Sequence, residues 1–274
     1  MNRLEHTRVY KETKQESSIV RINGVQFGGG SFTVIAGPCA LENSEQVLAT
    51  ARSVEKAGAK VLRGSIYKPR TSPYSFQGVG RQGLEFLKLV KCETNLLVET
   101  EILLPSQLDF LTEYVDILRI GSRNMDNFEL LKEVGKCSVP IILKRNMSSK
   151  LEEFLLAAEY LLNAGNENVI LCERGIRTFE TYTRNTLDLM AVPALKELTH
   201  LPVIVDPSHG TGKRSLVLPA SRAALAVGAD GLIVEVHPSP DHAKSDGFQS
   251  LHPSEFATLM TEIKSAAPIY HKTI

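Results

Sequence analysis

The chain has 274 residues, enough for one large domain or two small ones with a sizeable buried core. Its 31 Lys and Arg balance 31 Asp and Glu, leaving no net charge for non-specific binding of nucleic acid or an acidic membrane. The four cysteines, Cys39, Cys92, Cys137 and Cys172, lie far apart without a CxxC pair, which predicts a reducing compartment and no disulfides. No apolar stretch approaches the roughly 20 residues of a membrane span, and the N-terminus lacks a signal-like apolar segment, so a cytoplasmic location is expected.

Residues 1–17 are polar and charged. Next, Ile19, Val20, Ile22, Val25 and Phe27 flank Asn23-Gly24, a strong hairpin signal, so residues 1–30 are expected to form an N-terminal extension carrying a β-hairpin. Residues 18–32 carry more apolar side chains than a free tail would tolerate, so the hairpin is expected to be covered in the folded protein. From residue 31 to 274 short apolar runs alternate with helix-length amphipathic stretches. The runs are Phe32–Ala36, Lys60–Arg63, Leu96–Glu99, Ile117–Gly121, Pro140–Lys144, Val169–Glu173, Pro202–Asp206 and Gly231–Glu235. Continuous apolar runs suit parallel strands buried on both faces. Between them, Ser44–Ala57, Asn127–Val134, Leu151–Asn163 and Pro219–Val227 repeat apolar residues at three and four, with Ser44 as the expected N-cap. Eight strand-then-helix units in this length predict a (β/α)8 TIM barrel rather than an open doubly wound sheet.

In such a barrel the chemistry belongs at the C-terminal strand ends. Following the runs are Gly37-Pro38-Cys39, Arg63 with Lys68-Pro69-Arg70-Thr71, Glu99 with Glu101, Arg119 with Arg123, Lys144-Arg145, Glu173-Arg174, Asp206-Pro207-Ser208-His209, and Glu235-Val236-His237. Acids, bases and metal-ligand types gather at one end. Two glycine-rich segments are decoys. Gly78-Val79-Gly80-Arg81-Gln82-Gly83 has the spacing of a dinucleotide fingerprint but follows a polar loop where a strand is required. Gly210-Thr211-Gly212-Lys213 lacks the first glycine and the final hydroxyl residue of a P-loop and reads better as a substrate loop.

The segments AGPCALE (36–42), YKPRTSPYSFQG (67–78), RIGSRNM (119–125), ILKRNM (142–147), ERGIRTFE (173–180), VDPSHGTGKR (205–214) and VEVHPSPDHAKSDGFQSL (234–251) resemble the signature runs of the DAHP synthase family, in its shorter bacterial and archaeal branch without a regulatory domain. The resemblance runs from about residue 18 to 262. It implies a transferase that condenses phosphoenolpyruvate with erythrose 4-phosphate, the first step of the shikimate pathway to aromatic amino acids, working as a homo-oligomer, dimer or tetramer. It implies a divalent metal ion (Mn2+, Fe2+, Co2+ or Zn2+) held by Cys39, His209, Glu235 and Asp246. Singly, a buried Cys is usually a small hydrophobe and a strand-end His a hydrogen-bonding residue. All four at family positions point to a metal. Arg63, Lys68, Arg123, Lys144 and Arg174 would hold phosphoenolpyruvate, and Arg70 and Thr71 the acceptor's phosphate.

For Arg119 and Arg145 an ion pair with Glu99, Glu101 or Glu173 is expected instead of substrate. Lys68 or a metal-bound water would supply the proton that quenches the developing alkoxide, and Cys39 and His209 would serve catalysis through the ion. His237, His242 and His252 receive no ligand role, with His237 a candidate to support a ligand from behind. The chain departs from the family pattern at Ser122, Asn146 and Phe248, which leaves acceptor choice open. Rival readings are 3-deoxy-D-manno-octulosonate 8-phosphate synthase, a Schiff-base aldolase with Lys144 as nucleophile, and a non-catalytic sugar-phosphate sensor. The segment Lys68-Pro69-Arg70-Thr71 speaks against the first and the intact ligand set against the last.

Overall fold

The continuous apolar runs and the helix-period stretches between them close into a ring in the computed structural model, which describes residues 3–274. The hairpin is β1 (Val20–Ile22) and β2 (Val25–Phe27), antiparallel, with Ile22 facing Val25. Its turn places Asn23 and Gly24 at φ 43° and 84°, the left-handed backbone that this dipeptide tolerates best. Eight parallel strands follow: β3 (Thr33–Gly37), β4 (Val61–Arg63), β5 (Leu97–Ile102), β6 (Ile117–Ile120), β7 (Ile141–Lys144), β8 (Val169–Glu173), β9 (Val203–Val205) and β10 (Gly231–Glu235). They form a closed barrel in chain order, with β10 pairing back onto β3 from Gly231↔Thr33 to Glu235↔Gly37. The TIM-barrel expectation and the hairpin both hold.

The helices are α1 (Ser44–Ala57), α2 (Gly83–Glu93), α3 (Leu108–Thr112), α4 (Phe128–Val134), α5 (Leu151–Asn163), α6 (Ala191–Leu198), the short α7 (Pro207–Thr211), α8 (Arg214–Ala226) and α9 (Pro253–Ala266). In α1 the N-cap is Asn43, whose Oδ1 accepts from the Gln46 N–H at 2.8 Å, so the expected Ser44 cap is off by one and Ser44 opens the helix. The same helix buries Val47, Ala51 and Val54, one apolar stripe against the strands. Helix α8 starts five residues before the expected Pro219, which sits inside it. No strand immediately precedes Gly78, so the dinucleotide decoy lacks its required context.

Two apolar layers fill the molecule. The outer one lies between strands and helices and holds Val34, Leu62, Val98, Leu118, Leu143 and Leu171 with helix residues such as Val47, Leu87, Phe154 and Leu225. The inner one lies within the ring: Ile35, Val61, Leu97, Ile117, Ile142, Ile170, Ile204 and Ile233 cluster with Val20, Ile22 and Phe27 of the hairpin. The hairpin therefore plugs the N-terminal end of the barrel, and Phe27 is fully buried there. The segment before it is no free tail: Val9 is buried, its N–H donates to Glu159, and its carbonyl accepts from Thr199 Oγ1 at 2.6 Å. All four cysteines are free, and no helix among the described residues is long and apolar enough to cross a membrane.

Candidate active site

At the C-terminal strand ends the inward side chains change from apolar to charged. Strand β5 runs past the expected Glu99 to Ile102, because Glu99 and Glu101 both point into the ring and both are paired by Arg119 of β6. Arg119 donates to Glu99 at 2.7 Å, to Glu101 at 3.0 Å and to Ser65 Oγ at 2.9 Å, which occupies its fork. Burial would raise the Glu101 carboxyl, but Arg119, Lys68 and Lys144 outweigh it and bring it down to about 2. A side chain at Gly121 would collide with this carboxylate, since a Cβ there would overlap Glu101 Oε1. Arg145 is likewise committed, with Nη1 2.9 Å from both Glu173 and Asp188. Both expected ion-pair arginines behave as read.

Above this charged bed opens a cavity of about 260 Å3, lined among others by Lys68, Arg70, Thr71, Arg123, Lys144, Arg174, His209 and Asp246. Lys68 lies 3.6 Å from Glu101, and Lys144 is paired with Asp206. Burial would pull Lys68 down, but the Glu101 carboxylate beside it opposes this and Lys68 stays cationic. Arg70, Arg123 and Arg174 have no carboxylate within 4.0 Å among the described residues. Arg174 is nearly buried and its Nε has no hydrogen-bond partner. A buried, incompletely partnered cation such as Arg174 is costly unless an anion joins it, whereas Arg70 is half-buried and Arg123 exposed.

One expected contact is not in this cavity. Arg63 does not line it; the guanidinium is fully buried, with Nη2 3.1 Å from Glu235 Oε1. The buried Glu235 carboxylate needs a counter-charge, and Arg63 is the arginine within reach. The sequence reading also missed Arg177, Arg184 and Asn185, which line the cavity from the loop between β8 and α6. The available signal was the loop itself: a long connection without apolar periodicity at the functional end of a barrel.

Beside the cavity, Cys39, His209, Glu235 and Asp246 offer donor atoms that all lie within 4.8 Å of one another. They come from the loop after β3, from α7, from the end of β10 and from the loop beyond it. Asp206, the N-cap of α7, accepts from the His209 N–H and from His209 Nδ1, each at 2.8 Å. A carboxylate only accepts, so Nδ1 carries the ring proton and Nε2 keeps its lone pair. That lone pair faces Glu235 Oε1 at 3.3 Å, and this buried oxygen has no hydrogen-bond partner. Burial draws His209 down to about 4, against Asp206 and Glu235, so the ring is neutral at pH 7. Two acceptors facing one another fit a cation between them. Cys39 Sγ is 3.0 Å from Asp246 Oδ2, and burial, with Glu235 adding to it, pushes the thiol up to about 12. One soft thiolate, one imidazole and two carboxylates suit a borderline divalent ion. His237 stands apart from the four, 3.4 Å from Glu42.

The sequence profile of the DAHP synthetase I family matches residues 10–269. A Thermotoga maritima protein named phospho-2-dehydro-3-deoxyheptonate aldolase is 52% identical over 259 residues, which are 94% of this chain and 77% of that one. A crystal structure under the same name from that organism superposes with a TM-score of 0.95 at 49% identity, covering 98% of this chain and 79% of the other. A Syntrophotalea carbinolica protein named 2-dehydro-3-deoxyphosphooctonate aldolase is 33% identical over 251 residues, 85% of this chain and 90% of that one.

Proposed function

We propose a reading that starts from the family to which this chain belongs, the DAHP synthetase I family: it condenses phosphoenolpyruvate with erythrose 4-phosphate to give DAHP and phosphate, the first step of the shikimate pathway. The observation that carries it is a single cavity that joins arginines without carboxylate partners to the Cys39, His209, Glu235, Asp246 cluster. His209 and Asp246 belong to both.

Lys68, Arg123, Lys144 and Arg174 hold the carboxylate and phosphate of phosphoenolpyruvate; Arg supplies a fork and Lys a point charge. Arg70 and Thr71 hold the phosphate of the aldehyde. Arg63 acts from beneath, as the counter-charge of Glu235. With both substrates fixed, C3 of the enol attacks the aldehyde carbon, water adds at C2, and the bond from C2 to the phosphate oxygen breaks. Lys68, cationic and facing the cavity, delivers the proton to the new alkoxide. A divalent ion (Mn2+, Fe2+, Co2+ or Zn2+) bound by the four ligands supplies Lewis-acid polarisation of the aldehyde oxygen. Asp206 fixes the His209 tautomer and at the same time pairs with Lys144, so one carboxylate orients both halves of the site.

The free cysteines fit a reducing cytoplasm, and exposed Tyr74, Phe179 and Tyr182 suit a homo-oligomer, dimer or tetramer. The deciding experiment is a coupled assay of phosphate release with erythrose 4-phosphate against arabinose 5-phosphate. Turnover with the four-carbon sugar is expected; a preference for arabinose 5-phosphate would overturn the acceptor.

A further inference from the structure

Glu235 offers two oxygens, and they have different neighbours. Oε1 faces His209 and Arg63, whereas Oε2 accepts from Gln249 Nε2 at 2.6 Å. Gln249 is fully buried, three residues past Asp246, on the short 3-10 turn Gly247–Gln249. Its other amide atom, Oε1, accepts from Arg184 Nη1 at 2.9 Å, and the same nitrogen lies 3.3 Å from Asp246 Oδ1. The chemistry of the partners fixes the direction of this chain. A carboxylate can only accept and a guanidinium can only donate, so the residue between them must present a donor at one end and an acceptor at the other. A primary amide of glutamine length does both. Arg184 is only partly buried and lines the substrate cavity.

We infer that Gln249 is a positioning residue for Glu235: it occupies Oε2, leaves Oε1 as the oxygen presented to the ion, and is itself held by Arg184. Both carboxylates of the four-ligand set are thereby tied to one guanidinium, Asp246 directly and Glu235 through the amide. The long loop between β8 and α6, which carries Arg184, thus has a mechanical connection to the ligand set. The inference rests on the metal reading given above and adds residues to which that reading assigns nothing.

The test uses the full chain, stripped of metal and titrated with Co2+ alone, followed by thiolate-to-cobalt absorption and by competition with a chelator. Gln249→Met keeps the length of the side chain and removes both hydrogen bonds. It is expected to weaken Co2+ binding about 10–100-fold, the range for residues that orient a ligand from behind. The visible cobalt bands should shift; the metal-free variant should also melt somewhat lower, because Glu235 Oε2 is left buried without a donor, so affinity is read at a temperature where the variant is folded. With saturating Co2+, kcat should stay low while KM for phosphoenolpyruvate is unchanged. Arg184→Met removes the far anchor from a partly exposed position and should weaken Co2+ in the same direction but less. It decides the matter if Gln249→Met does not fold. Wild-type affinity and spectrum in the folded variants overturn the inference; weakening by Gln249→Met alone keeps Gln249 and removes Arg184 from it. If the unaltered protein itself binds no Co2+, or binds it without a thiolate band that Cys39→Ala abolishes, the metal reading fails instead.

Discussion

The two ends of the barrel interior are built from the same eight strands yet follow opposite rules. At the N-terminal end Ile35, Val61, Ile117, Ile204 and Ile233 form one apolar cluster with Phe27 of the hairpin. At the C-terminal end Arg63, Glu99, Glu101, Arg119, Lys144, Asp206 and Glu235 are all buried within a few residues of one another along the strands. Replacing a residue of the floor removes contacts and opens a void. Replacing one of the charged end leaves its partner buried and uncompensated, or leaves a ligand site incomplete. The floor should therefore report on stability alone, whereas the top should report on chemistry as well as stability, and four experiments sharpen or break that division.

The largest effect is expected from Cys39→Ala. It deletes a donor of the ligand set, so ion content by elemental analysis and turnover should be lost together, by more than the roughly 10–100-fold cost of disturbing a supporting residue. Full turnover in a preparation shown to be metal-free would sink the metal reading altogether. Next is Phe27→Ala, which should cost about 3–5 kcal/mol by chemical denaturation while kcat of the folded fraction is retained. A large change in kcat without a change in stability would contradict the separation of the two ends.

Smaller effects divide the top. Arg174→Ala should weaken phosphoenolpyruvate binding by calorimetric titration, and Arg70→Ala should raise KM for erythrose 4-phosphate while phosphoenolpyruvate still binds. Each loses a charge-assisted hydrogen bond worth about 1.5–3 kcal/mol, or roughly tenfold and upward. Exchange of the two phenotypes would reverse the assignment of the anion sites. Smallest per step is the pH response of metal affinity. Burial holds the Cys39 thiol up at about 12, so it is protonated at neutral pH and an ion must displace that proton. His209, drawn down to about 4, has no proton to lose. Affinity of the metal-free protein for Co2+ should rise about tenfold per unit between about pH 6 and 8, and a flat profile would mean the thiol is already ionised.

The strands were legible because a short, continuous run of Val, Ile and Leu between turn residues suits a strand buried on both faces and little else. Val169–Glu173 and Gly231–Glu235 agree with the sequence reading to the residue. Strand β5 was cut short because Glu99-Thr100-Glu101 does not look like barrel interior until Arg119 is seen opposite. The ligand quartet and the cavity cations were read from family motifs, and the fold brings all of them to one end of the barrel. Arg63 was read with the substrate; its guanidinium lies 3.1 Å from Glu235, a contact that a sequence does not show. Arg184 and Asn185 sit in a loop with no periodicity, and Gln249 is an uncharged amide; only its position between Glu235 and Arg184 gives it meaning.

The seam of the barrel joins its first strand to its last. Gly37, at the end of β3, lies beside Glu235, at the end of β10, and Cys39 follows two residues later. These two proposed ligands are far apart in sequence and are brought together by the pairing of the first barrel strand with the last. Closure of so long a loop is the slow, entropically expensive part of forming such a topology. An ion gripped by Cys39 and Glu235 binds the shut ring and not the open one, so it acts as a clasp across the seam. If the proposed site binds an ion, hydrogen exchange in β3 and β10 should slow with added Co2+ more than in β6 and β7 on the far side, so that the protein's kinetic durability would follow the ion it holds.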